Sequence, residues 1–188
     1  MNKDDHLEKQ VGNLLKMDSE LAKKNKDLEK KINALIEKNT KLENEANKCK
    51  KYEVLNDARR KASNGIGKNC DHFRPKYSCT YSDWKGPNWY RFEEPAGTQI
   101  PETIVPYKHC GTYVAGHISK GFTHPITLGE VVDAEVCFSK AGFDRSSKTV
   151  ENCHSKKSIK IRNCGSYFLY ELPAFGTGND GYGAYCAV

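Results

Sequence analysis

The sequence predicts an α+β protein, in which a long N-terminal α-helical coiled coil precedes a small disulfide-rich antiparallel β domain. Three observations lead to this prediction. Leucines recur every seven residues in the first quarter of the chain, all eight cysteines lie beyond that quarter, and short β-branched or aromatic runs dominate the remainder. We place a parallel coiled-coil stalk at residues 1–48 and a cysteine-rich domain at residues 49–188.

The stalk is predicted from a leucine heptad. Its members are Leu7, Leu14, Leu21, Leu28, Leu35 and Leu42. With these leucines at d positions, Asn25 and Asn39 fall at a positions, where asparagine favours a parallel two-stranded register. Lys24 and Glu29 form an attractive interchain pair in that register. The pattern therefore predicts a homodimer; the alternative, a single amphipathic helix docked on its own domain, normally shows a broader apolar face.

Charge and hydropathy exclude two classes of protein. The net charge is +6, but only six residues precede Leu7, with a single Lys among them, so no basic region is present to enter a DNA groove. No apolar run approaches the length of a membrane span, and residues 1–10 show no signal peptide. We expect neither nucleic acid binding nor a membrane span, and we expect that the N-terminus is truncated, incomplete or engineered.

The cysteines indicate a disulfide domain. They are Cys49, Cys70, Cys79, Cys110, Cys137, Cys153, Cys164 and Cys186. Their spacing contains no Cys-x-x-Cys pair of the kind that structural zinc sites use. Disulfides persist in oxidising compartments, so we predict a secreted or extracellular protein. The alternative is an intracellular coiled-coil protein with free thiols or a Cys/His metal site. A further alternative concerns Cys49, which follows Leu42 at the next d position and could cross-link two helices.

The chemistry-bearing residues do not form a catalytic pattern. The histidines of the cysteine-rich part are scattered at His72, His109, His117, His124 and His154. No Gly-rich phosphate loop and no paired His on one helix face occurs. We therefore predict no enzyme activity, no cofactor and no metal.

The β domain is predicted from apolar runs separated by turns, after a short helical stretch ending near Ala62. The runs are residues 89–92, 104–105, 131–138, 159–162 and 167–172. In the fourth run, alternation places Ile159 and Ile161 inward and Lys160 and Arg162 outward. Together with Lys156, which shares their parity, and Lys157, at the predicted start of the strand, these cations form what we term the basic edge. It is a candidate site for an acidic or sulfated glycan.

A series of short motifs gives the β domain a family resemblance. It comprises Trp89-Tyr90-Arg91-Phe92, Gly97, Pro106, Cys110-Gly111-Thr112, Gly116, His124-Pro125, Cys137-Phe138, Cys164-Gly165, Tyr167-Phe168-Leu169-Tyr170 and Tyr185-Cys186. This order resembles the eight-cysteine extracellular domain of the uromodulin-like family. The resemblance implies a non-enzymatic extracellular binding or adhesion module with an extracellular protein or glycan as ligand.

The same resemblance implies a disulfide pairing. Ile104 and Asn152 stand where the family has two cysteines that bond each other, so one bridge looks deleted at both ends. The pairs that remain are Cys49–Cys164, Cys110–Cys186 and Cys137–Cys153, with Cys70–Cys79 closing locally. Spacing alone does not select among the 105 possible pairings of eight cysteines.

Overall fold

The computed structural model describes residues 3–71, 81, 83–141, 150–174 and 183–188. The chain divides into two compact units, Met1–Asn44 and Glu45–Val188. Helix α1 spans Lys3–Lys48 and so supplies the first unit and the first turn of the second. Among the described residues, no helix combines the length and the apolar composition that crossing a membrane requires.

Helix α1 presents its leucine heptad to solvent. The six heptad leucines are 42–64% exposed. Asn25 and Asn39 are exposed on the same helix. The helix ends at Lys48, where a cation in the last turn faces the negative end of the helix dipole. Pairing of two such helices stays a prediction.

The second unit contains one seven-stranded sheet. Its strands are β1 (Glu53–Leu55), β2 (Asn88–Phe92), β3 (Val114–Ile118), β4 (Val131–Ala141), β5 (Val150–Asn163), β6 (Phe168–Leu172) and β7 (Gly183–Tyr185). The strand order is β1-β2-β6-β5-β4-β3-β7. The four inner pairings are antiparallel, whereas β1 pairs with β2 and β7 with β3 in parallel. The sheet is therefore mixed, not purely antiparallel as the sequence predicted.

Three local predictions were wrong. The segment before Ala62 forms β1 and a single 3₁₀ turn, Ala58–Arg60, instead of a continuing helix. Residues 104–105 form no strand, and Val105 packs in a small cluster with Cys110 and Cys186 instead. Strand β5 begins at Val150, so Lys157 lies in mid-strand and not at its start.

One face of the sheet carries the core. Ile159 and Ile161 on β5 are 3% and 0% exposed, as alternation predicted. They pack in one cluster with Tyr90, Phe138 and Tyr170 from three neighbouring strands. We call the opposite face of the sheet the outer face. Since side chains alternate along a strand, the polar residues between these core positions point to it.

Three disulfides have both of their cysteines in the described residues. Cys49–Cys164, Cys110–Cys186 and Cys137–Cys153 have Cα–Cα distances of 5.7, 5.6 and 4.7 Å. These distances are ordinary for cystines. The three pairs are those that the family resemblance implies. Cys49 is bonded to Cys164 within its own chain, whereas the alternative places it in a cross-link between two helices. Cys70 is disulfide-bonded, but Cys79 lies outside the described residues.

A buried ion cluster surrounds Arg60, whose side chain is fully buried. Its guanidinium donates to both carboxylate oxygens of Asp71, at 2.6 and 2.8 Å, and to Asp83 at 2.8 Å. It also lies 3.8 Å from the ring centroid of Tyr81 and donates to the carbonyl oxygen of Tyr185. Burial alone would lower the pKa of Arg60, but the charges of Asp71 and Asp83 outweigh it and hold the pKa above its ordinary value. The cluster is therefore charged and fully partnered.

Removing one partner of this cluster should be strongly destabilising. We expect Asp71→Asn to lower the free energy of unfolding by about 3–5 kcal/mol, since a buried guanidinium would lose a bidentate carboxylate. Glu94→Gln is the matched control, because Glu94 is an exposed acid 3.8 Å from Lys61, and such pairs contribute about 0–1 kcal/mol. Urea denaturation at neutral pH measures both variants. Equal losses for the two would contradict a structural role for the cluster.

The fourth disulfide is the remaining prediction about connectivity. Non-reducing peptide mapping should recover a Cys70–Cys79 peptide pair along with the three bridges described above. This expectation comes from the family resemblance, and a nine-residue separation is compatible with it because such a loop closes at little cost in chain entropy. Recovery of Cys79 as a free thiol, or joined to another cysteine, would show that the local closure is wrong.

Candidate functional site

The outer face of the sheet carries a row of polar side chains across four adjacent strands. In register, Trp89 on β2 lies beside Glu171 on β6, which lies beside Lys160 on β5, which lies beside Asp133 on β4. The next outer position on β5 is Ser158. The short strands β2 and β6 end near this row, whereas β4 and β5 continue beyond it. The step between short and long strands forms a depression.

Two cavities occupy that depression. One of about 480 Å³ is lined by residues that include Asn88, Trp89 and Lys160. The other, of about 420 Å³, is lined by residues that include Lys120 and Phe122, which follow β3. Asp133 and Ser158 line both cavities. We therefore treat them as two halves of one depression and name it the sheet groove, extending from Trp89 to Phe122.

The structure brings three of the four basic-edge residues to the outer face, each beside a partner. The Nζ atom of Lys156 lies 2.9 Å from Glu135, and that of Lys160 lies 3.2 Å from Glu171. The guanidinium of Arg162 lies 4.6 Å from the ring centroid of Trp89. Lys157 has the parity of Ile159 and Ile161, so it points to the other face and is half-buried. The basic edge is thus a charge-balanced surface and not a block of free cations.

Asp133 differs from these paired charges. It is exposed at the centre of the sheet groove, and within the described part of the chain its carboxylate has no ion-pair partner. Lys160, its neighbour in register, has its ammonium 3.2 Å from Glu171. The groove therefore offers at least one carboxylate that is free to accept hydrogen bonds.

Sequence reasoning missed the acids of this face. Asp133 and Glu135 alternate with Val132 and Ala134, which is the signal of a half-buried strand and marks both acids as outward. That signal was present. The pairing of Glu135 with Lys156 was not readable, because it depends on the register between β4 and β5.

The histidines are as dispersed in space as in sequence. His117 is buried on β3, whereas His124 pairs with Glu102 and lies between the rings of Phe122 and Phe168. Among the described residues, no group of three His, Cys, Asp or Glu side chains could hold a metal ion. His72 lies outside the described residues. The histidines that the structure describes therefore belong to no such metal-binding group.

His117 should make stability depend on pH. Burial lowers the pKa of His117 below its usual value of 6.5, and its Nδ1 atom has no hydrogen-bond partner among the described residues. Below pH 6.5 the unfolded chain binds a proton that the folded imidazole resists, so the free energy of unfolding should fall as the pH falls. His117→Gln should lose less stability than wild type between pH 7.5 and pH 5, measured by urea denaturation. Equal losses of stability in wild type and His117→Gln would contradict this role of His117.

The comparisons with known proteins agree with the resemblance found in the sequence. A family model described as "Uromodulin-like", for the eight-cysteine domain of that family, matches residues 90–187, which is more than half of the chain. A curated relative is the pancreatic secretory granule membrane major glycoprotein GP2 of Rattus norvegicus, which is 28% identical over 130 residues. That match covers 66% of this chain and 20% of the relative, so the chain spans about a fifth of that protein's length. The family match confirms the resemblance, and the chain belongs to the uromodulin-like eight-cysteine domain family.

Proposed function

We propose that this protein is a non-enzymatic extracellular binding and adhesion module, presented as a parallel homodimer by its N-terminal coiled coil. The observation that carries the proposal is the presence of three disulfides in a domain of the uromodulin-like family. Disulfides are stable in oxidising compartments, and the relative's name places it in a secretory granule membrane. The six cysteines of these bridges are not available as the thiols that the intracellular alternative requires.

We propose that the exposed leucine stripe of α1 packs against the same stripe of a second copy of the chain. A single helix in water would leave all six leucines at least 42% exposed, and apolar stripes of this length are unusual on monomers. Burying a leucine side chain contributes about 1.5–3 kcal/mol when complete. Asn25 and Asn39 at a positions favour two strands in parallel, since each amide then faces its own counterpart.

The proposed ligand-binding surface is the outer face of the sheet, including the basic edge. Lys156, Lys160 and Arg162 support contact with a ligand there, because they lie side by side on an exposed face. An acidic or sulfated glycan would nevertheless compete with Glu135 and Glu171 for the two lysines. Dimerisation would double the number of such faces and raise the apparent affinity for a multivalent surface.

The experiment compares a zipper variant with a matched control. Leu21→Ser/Leu28→Ser removes two d positions, whereas Lys23→Ser/Lys30→Ser makes the same substitution at outward heptad positions. Sedimentation equilibrium should give twice the chain mass of 21.2 kDa for wild type and control, and a monomer for the leucine variant. Fluorescent protein should bind intact, unpermeabilised cells, with binding of the monomeric variant weaker by about 10–100-fold.

Each measurement can contradict a different part of the proposal. A monomeric wild type would contradict the coiled coil. A dimeric wild type that binds no cell surface would contradict the binding module. Equal cell binding by dimer and monomer would contradict the claim that the stalk acts through valency.

A further inference from the structure

We propose that the sheet groove binds a neutral oligosaccharide. This inference rests on the proposed function, which it deepens by assigning a ligand class to one part of the outer face. A neutral oligosaccharide differs from the acidic or sulfated glycan that the basic edge suggests in the sequence. The distinction follows from which charges are paired and which polar groups are left available.

The charges of the groove disfavour an anionic ligand. Its lining contains three carboxylates, those of Asp133, Glu135 and Glu171, and two ammonium groups, those of Lys120 and Lys160. Lys160 is paired with Glu171 across the groove floor. A sulfated or carboxylated sugar placed at Lys160 would have to displace that carboxylate and approach Asp133 as well. Like charges brought together at such a site oppose binding.

The charges also give little preference for a cationic ligand. Glu135 and Glu171 are both paired with lysines, which leaves Asp133 as the unpaired carboxylate among the described lining residues. Lys160 lies directly beside Asp133 in register, so its positive charge opposes a second cation at that position. A neutral ligand avoids both penalties.

Polar groups suited to hydroxyls remain available along the groove. Asp133 presents two acceptor oxygens, and Ser158 presents a hydroxyl that can both donate and accept. Both side chains are exposed. Asn88 also lines the groove, and because its side-chain oxygen accepts from the backbone N–H of Trp89 at 2.8 Å, its amide N–H groups remain available as donors. Sugar hydroxyls donate and accept at once, and this mixture of acceptors and donors matches them.

Aromatic side chains mark both ends of the groove. Trp89 is half-buried and is held by the guanidinium of Arg162, 4.6 Å from its ring centroid. Phe122 lines the other end, where its ring packs against the core and contacts His124 edge-on at 4.8 Å. The ring of Trp89, fixed by Arg162, offers apolar area at low entropic cost, which suits the C–H face of a sugar. The distance from β2 to β3 is four strand spacings, or about 19 Å, so the groove is longer than one sugar ring.

The test uses two groove variants, each with a matched control, in the 188-residue chain. Ser158→Tyr fills the groove from an exposed strand position, and Ser166→Tyr makes the same change in the exposed turn between β5 and β6. Asp133→Asn removes the unpaired carboxylate, and Glu94→Gln removes an exposed one outside the groove. Thermal unfolding and sedimentation check that all four variants fold and dimerise like wild type.

The probes are a printed array of neutral oligosaccharides ending in mannose, galactose or N-acetylglucosamine, with heparin, polysialic acid and a lysine-rich peptide as charged arms. Wild type should bind at least one neutral class. Ser158→Tyr should weaken that binding by about tenfold or more and Asp133→Asn by about fivefold, whereas both controls should stay within about twofold.

Several results would overturn the inference. These are binding to heparin, polysialic acid or the lysine-rich peptide without any neutral glycan, neutral binding that Ser158→Tyr leaves unchanged, and no binding to the array. If a protein that fails on the array still binds intact cells as a dimer, the glycan assignment fails while the proposed function stands. If it also fails to bind cells, both fail.

Discussion

The guanidinium of Arg60 joins three parts of the β domain, namely its own 3₁₀ turn, the segment before β2 and the edge strand β7. It contacts Asp71 and Asp83, which belong to the segment before β2, and the carbonyl oxygen of Tyr185 on the edge strand β7. The backbone N–H of Tyr185 donates to Asp71 in turn, at 2.8 Å. Because Arg60 and Asp71 are fully buried and the side chain of Asp83 is only 7% exposed, the cluster is stable only when all the partners are in place. The placement of β7, and with it the parallel edge of the sheet, depends on this one ion cluster.

The covalent and backbone links nearby reinforce the same edge. The carbonyl oxygen of Arg60 accepts from the N–H of Ala187 at 3.0 Å, and Lys61 forms an isolated bridge to that residue. Cys186, between Tyr185 and Ala187, is bonded to Cys110. A short parallel strand gains little from its own ladder, so we attribute its position to these links and to the buried ions.

The sequence could predict those features of the fold whose signals lie in neighbouring residues. Alternation placed Ile159 and Ile161 in the core correctly, since inward and outward positions repeat every two residues. Strand β3 was missed because all five of its residues, Val114–Ile118, are buried and show no alternation.

The neighbours Arg59 and Arg60 have the same chemistry, yet one is exposed and the other fully buried. No local pattern separates them, because the partners of Arg60 are 11 to 125 residues away. The acids of the groove were readable from alternation, but their pairing required the register.

The division between the buried cluster and the outer face would separate stability from the recognition that we propose for the outer face. The ion pairs of Lys156 and Lys160 are exposed, and exposed pairs contribute about 0–1 kcal/mol each, several-fold less than a buried pair broken at Arg60. A ligand can therefore rearrange the pairs of the outer face at little cost to the fold. The same property limits the affinity of any one groove, because weak, solvated contacts discriminate ligands by shape and hydroxyl pattern more than by strength. Such a face would gain most from being presented in more than one copy, and the proposed pairing of α1 through its exposed leucine stripe would supply a second copy.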